Sequence, residues 1–190
     1  MIQEISRKIV DYLEIHNYLK EEREIYEYGC RSVISSMIGT ILILIIGFMT
    51  NHPIEAILYE VVISSSRSIL GGYHCKSYRS CIITYVNIFA GGLIISHYIK
   101  VSWVILLFIE MIGLLITVFL CPVENVNMRL SDVKKTIFNK YSIMYVFILI
   151  NIINVMFIFD YKYVNIFIYI FMIIHILTVG GVVDNGKDNE

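Results

Sequence analysis

Proline and charge are what this sequence has least of: two prolines in 190 residues, with charged side chains at 16% of positions. Soluble domains carry about 25% charged and about 45–50% apolar residues, whereas this chain is 57% hydrophobic with a mean hydropathy of +0.73. That balance excludes an ordinary soluble core and points to an integral membrane protein. The short alternating segments of a membrane barrel are missing, so the long Ile, Leu and Phe runs are expected to cross as helices. Residues 1–31 are charged throughout and lack the apolar stretch and small-residue cleavage site of a signal peptide. No repeat relates the two halves, as many transporters would show. The net charge of −1 says little, because in a membrane protein the placement of charge matters more than its sum, and no nucleic-acid partner is expected. Four cysteines (Cys30, Cys75, Cys81 and Cys121) in a chain without a secretory signal are expected to be thiols in a reducing compartment rather than a disulfide framework.

What is present is one all-α membrane domain over 1–190. Residues 1–20 form an amphipathic pattern with Ile2, Ile5, Ile9 and Leu13 at helical spacing and a Glu4–Lys8 pair opposite. The polar face is too charged to span, so an interfacial helix on the lipid bilayer is predicted. Glu21 to Glu27 reads as a charged hinge. Six apolar segments follow, near 32–49, 54–70, 82–99, 102–120, 141–159 and 164–183. Each approaches the roughly 20 residues needed to cross about 30 Å of hydrocarbon. The second is the poorest, broken by Glu60, Ser64, Ser65, Ser66 and Arg67. Of fifteen Lys and Arg, all but Lys100 and Lys162 fall on one side of this topology. The positive-inside rule makes that side cytoplasmic, with both termini and all four cysteines on it.

The polar island of the chain is Arg67-Ser-Ile-Leu-Gly-Gly-Tyr-His-Cys-Lys-Ser-Tyr-Arg-Ser-Cys81. A thiolate is a good nucleophile and a thiol a poor one. An imidazole can take the thiol proton, and neighbouring cations such as Arg67, Lys76 and Arg79 favour the anion. His74 and Cys81 in one straight helix would share a face yet stand about 10.5 Å apart along its axis. A working pair therefore requires a bend, which Gly71-Gly72 can supply. The expected site is a re-entrant or loop segment at the cytoplasmic membrane edge. Taken alone, a His-x6-Cys spacing leaves open a plain surface loop with an incidental cysteine.

Arg67-x6-His74-x6-Cys81, with Gly71-Gly72-Tyr73 leading into the histidine, resembles the motif of the AgrB (accessory gene regulator B) family. That family comprises membrane peptidases that process the AgrD pro-peptide in Gram-positive quorum sensing. The likeness extends over most of the chain, from the amphipathic helix to the last apolar segments. It implies that Cys81 is the nucleophile and His74 its general base, with Arg67 and Gly72 matching the motif arginine and glycine. It also implies cleavage of the pro-peptide's C-terminal tail through a Cys81 thioester, ring closure to a thiolactone or lactone, and a homodimer. No cofactor is implied. The chain departs from the family at Cys75, where a small residue such as Ala is usual. A second thiol thus adjoins the histidine, but Cys81 keeps the spacing.

Lys134 and Lys135, with Arg129 and Lys140, form a basic cytoplasmic segment that is either a topology signal or a dock for the acidic tail of an AgrD-like pro-peptide. Glu60, Ser64 and Arg67 share one helix face, so a Glu60–Arg67 link through an intermediary would shape the site. Asn87 and Glu60 are candidates to orient His74. Glu110 reads as a carboxyl kept neutral by burial, Cys121-Pro122 as the end of a span, and His175 as structural or solvated. Two rivals stand. A metal centre of His74, Cys75 and Cys81 fits no standard zinc spacing, and no metal is expected. The other rival is a non-enzymatic small transporter or assembly protein.

Overall fold

Among the described residues, three connections turn on a non-glycine residue with a positive φ: Asn17 (55°), Asn51 (60°) and Asp160 (49°). Each sits just past a helix end inside a double hydrogen-bond closure. Tyr18 N donates to Leu13 O, His52 N to Gly47 O, and Tyr161 N to Met156 O, at 2.9, 2.7 and 2.9 Å. This is the Schellman arrangement, and short polar Asn and Asp tolerate its left-handed position better than other side chains. Pro53 opens the helix after Asn51 at a position where its missing N–H costs nothing.

The computed structural model describes residues 2–19, 22–73, 77–98, 100–123 and 132–187. Among them the chain forms seven helices and no named strand: α1 (Ile2–Ile15), α2 (Arg23–Met49), α3 (Pro53–Leu70), α4 (Tyr78–Tyr98), α5 (Trp103–Leu120), α6 (Asp132–Ile158) and α7 (Val164–Lys187). Five of these, α2 and α4 to α7, are long and apolar enough to cross a membrane. α3 has 18 residues but carries Glu55, Glu60 and Arg67. Its Ser65 and Ser66 hydroxyls meet the Tyr145 hydroxyl of α6 at 2.8 and 3.0 Å, so these two serines are satisfied within the bundle.

α7 is the central pillar. Half of its apolar stretch is buried, against 11% for α4, and it packs on α3, α4, α5 and α6. Small residues let neighbours approach it. A Cβ on Gly92 would fall 2.6 Å from Tyr169, and one on Gly113 would fall 2.5 Å from Phe171. Among the described residues, several buried polar groups pair across helices. Thr117 and His175 are 3.1 Å apart, and Asn154 donates to Glu110 at 2.9 Å. His175 is thus a buried structural histidine rather than a solvated one.

One local expectation is corrected. Residues 23–27 are not a hinge but the first turn and a half of α2, because Glu27 pairs at i,i+4 with both Arg23 and Arg31. In α1, Ser6 and Val10 are buried, while Ile5 and Ile9 of the predicted apolar stripe are exposed, as is Tyr12. Arg23 also binds Asp11 and Glu14, which ties the end of α1 to the start of α2.

Candidate functional site

α3 ends at Leu70 and α4 begins at Tyr78, so no continuous helix runs through the polar island. Gly71 and Gly72 have φ of 74° and 134°, in the region L side chains avoid. The turn they make is knitted to two distant segments. Gly71 forms a parallel bridge with Val123, and Val123 N donates to Leu70 O at 2.8 Å. Two residues on, Tyr73 N donates to Leu177 O of α7 at 2.8 Å. Side chains could not fit in this junction. A Cβ on Gly71 would lie 2.1 Å from Val123 O, and one on Gly181 would lie 2.7 Å from Gly72 C and 2.8 Å from Tyr73 N.

The same end of the bundle collects most of the predicted residues. Arg67, half-buried in the last turn of α3, donates from Nη2 to Tyr73 O at 3.3 Å, so it braces the chain where the island begins. Cys81 is half-buried in the first turn of α4. Ser77 starts that helix by accepting the Ser80 N–H at 3.1 Å. Lys134 and Lys135 lie exposed in the first turn of α6. Asn139 and Ser142 bring this helix to the junction, donating to Cys121 O at 2.6 Å and Ile69 O at 3.1 Å. His74, Cys75 and Lys76 lie outside the described residues, as does Arg129. The dyad partner and the metal rival therefore have no geometry to report. Asn87 is exposed on α4, away from this interior.

The described cysteines are free, but they differ. Cys121, just past α5, is enclosed with Thr117 and Thr178, and burial pushes its thiol up to about 12. It stays protonated at neutral pH and is chemically quiet. Cys81 is reachable.

Sequence reasoning missed the contributors that come from far along the chain. These are Val123, Leu177, Gly181, and the Tyr85 hydroxyl that donates to Glu60 Oε2 at 3.1 Å. The Gly180-Gly181 doublet inside the last span was the visible hint of a close backbone approach.

Apolar helices of spanning length, and a free thiol opening a helix at one end, define a multi-pass helical membrane protein with a polar centre at its edge. The accessory gene regulator B family profile matches residues 2–179, and the chain belongs to that family. A Clostridium perfringens (strain 13 / Type A) protein provisionally named AgrB-like protein 2 is 30% identical over 143 residues, covering 71% of this chain and 67% of that one. A provisionally named AgrB-like protein of C. perfringens (strain SM101 / Type A) is 29% identical over the same length and shares. No solved structure matches the chain significantly. Membership gives the protein a role in the agr quorum-sensing system.

Proposed function

We propose that this protein is a membrane cysteine endopeptidase that removes the C-terminal tail of an AgrD-like pro-peptide and leaves the rest poised to cyclise. The observation that carries this reading is the break between α3 and α4. It presents Cys81 at a helix start, with Arg67 and the Gly71-Gly72 turn held at the same end. The Cys81 Sγ gives its proton to His74 and attacks the scissile carbonyl carbon. The tetrahedral adduct collapses with cleavage of the C–N bond. The tail amine leaves with the proton from His74, and the core peptide remains as a thioester on Cys81. A Cys or Ser side chain within the peptide then attacks that thioester, its proton passing to Cys81 as the sulfur departs. The product is a thiolactone or lactone ring. Exchange of one thioester for another is nearly isoenergetic, whereas making the first from an amide is uphill. Removal of the tail therefore drives the reaction.

In this reading Lys134 and Lys135 dock the acidic tail, and no cofactor takes part. α3 completes a sixth crossing, with Glu60, Ser65, Ser66 and Arg67 at least partly covered by the bundle. α1 lies on the bilayer surface with Ile5, Ile9 and Tyr12 towards lipid. The placement of Lys and Arg puts both termini and the site on the cytoplasmic side. The protein acts as a homodimer, as the family likeness implies.

Co-expression with a candidate pro-peptide, followed by mass spectrometry, tests the assignment. Cys81→Ala and His74→Ala should each abolish processing, a loss of about 10³-fold or more, while Cys75→Ala should process like the parent. Processing that survives in Cys81→Ala, or that is lost in Cys75→Ala alone, would overturn the nucleophile. Undiminished cyclisation in excess added tail peptide would contradict the driving force.

A further inference from the structure

One turn beyond Cys81, α4 carries Tyr85, and residues four apart on a helix are neighbours. Side chains on a helix lean towards its N-terminus, so Tyr85 leans towards Cys81. The hydroxyl donates to Glu60 Oε2 of α3 at 3.1 Å. The Thr40 hydroxyl of α2 approaches the same carboxylate, while Glu60 Oε1 is sealed from solvent without a hydrogen bond of normal geometry. Both Arg67 and Cys81 lie within electrostatic reach of the Tyr85 hydroxyl.

The tyrosine has little freedom. A Cβ on Gly39 of α2 would come within 3.2 Å of its ring. The Tyr59 ring packs 5.3 Å away, centroid to centroid, and the Tyr59 hydroxyl donates to the Tyr85 carbonyl at 3.2 Å. Packing alone would be served by a phenylalanine at 85 and an apolar residue at 60. A carboxyl group inside an apolar bundle is expensive, and a sealed oxygen without a well-placed donor adds to that cost. Such a group marks function more often than stability.

We infer that Tyr85 and Glu60 are a positioning pair for Cys81, in which the carboxylate fixes the tyrosine hydroxyl and the hydroxyl sets the polar surroundings shared by the thiol and Arg67. The inference rests on the assignment of Cys81 as nucleophile, but its test needs no peptide substrate. The full chain, in phosphatidylglycerol–phosphatidylethanolamine vesicles, is treated with iodoacetamide, and alkylation of Cys81 relative to Cys30 is followed by peptide mapping. Tyr85→Phe removes only the hydroxyl. It and Glu60→Gln are each expected to change the Cys81:Cys30 ratio by about threefold or more, in the same direction, and the double variant by no more than the larger single effect. Tyr59→Phe, which removes a hydroxyl from the same cluster without touching the carboxylate, should leave the ratio at the parent value.

An unchanged ratio in Tyr85→Phe, additive effects in the double variant, or an equal effect of Tyr59→Phe would each overturn the pair. Should Tyr85→Phe fail to fold, Glu60→Gln decides alone, and an unchanged ratio there overturns it. Failure here with processing still dependent on Cys81 would leave the peptidase reading intact. Processing that survives in Cys81→Ala would remove that reading whatever the alkylation shows.

Discussion

The turns after α2 and α6, at one end of the bundle, and the turn after α3, at the other, are closed by different physics. At the end away from Cys81, the turns after α2 and α6 are local: Asn51 and Asp160 reverse the chain within a few residues, using hydrogen bonds to carbonyls just upstream. At the Cys81 end, the turn after α3 is closed from afar, by Val123 and by Leu177 of α7. A local turn needs only its own residues, so it can serve connection alone. A turn held by two remote segments pays loop-closure entropy for each, and what it gains is a defined position for the residues that follow. The contrast marks one end as connection and the other as a built site.

Gly181 is the sharpest place to break that contrast. Its α-carbon lies so near Gly72 and Tyr73 that a methyl group must push the island off α7. Overpacking of this kind costs about 1–3 kcal/mol. Gly181→Ala should therefore lower pro-peptide processing about tenfold or more. Gly180→Ala, whose new methyl would sit 3.6 Å from Tyr73 in ordinary contact, should process like the parent. Equal rates in the two variants would mean that the α7 contact does not position the site.

The basic start of α6 predicts a smaller, salt-dependent effect. Lys134→Gln/Lys135→Gln should raise KM for an acidic-tailed pro-peptide about threefold at low ionic strength, with kcat little changed. Parent and variant should converge as salt screens the attraction. A difference that persists at high salt would point to direct contact rather than long-range docking.

The smallest effect belongs to the opposite end. Asn51→Ala places an ordinary side chain in the left-handed region and should cost about 1 kcal/mol of stability, read as a lower unfolding temperature with no change in processing. Lost processing in this variant would show that the two ends are coupled after all.

Much of this was legible in the residues. Long apolar runs located the cores of α2 to α7, because a helix in hydrocarbon must satisfy its own backbone and cover about 30 Å. The need for a bend before Cys81 followed from helix geometry alone, and α4 indeed starts only at Tyr78. Helix ends were harder to read. α2 begins nine residues before its apolar run because Arg23, Glu27 and Arg31 pair along one face, and hydropathy registers their charge but not their pairing. Tyr85 was overlooked because an aromatic residue in an apolar span looks like core until its hydroxyl is seen against Glu60.

By itself, then, the sequence determined the membrane class, the side on which cations gather, and the residue types able to do thiol chemistry. Each of these depends on composition, spacing or local charge. Tertiary structure alone decided that Gly71-Gly72 meets Val123 and α7, that Gly181 is the small residue making room, and that Glu60 answers to Tyr85. Such contacts join backbone and side-chain groups dozens of residues apart. Their partners leave no periodic trace in the chain, because what brings them together is the packing of whole helices.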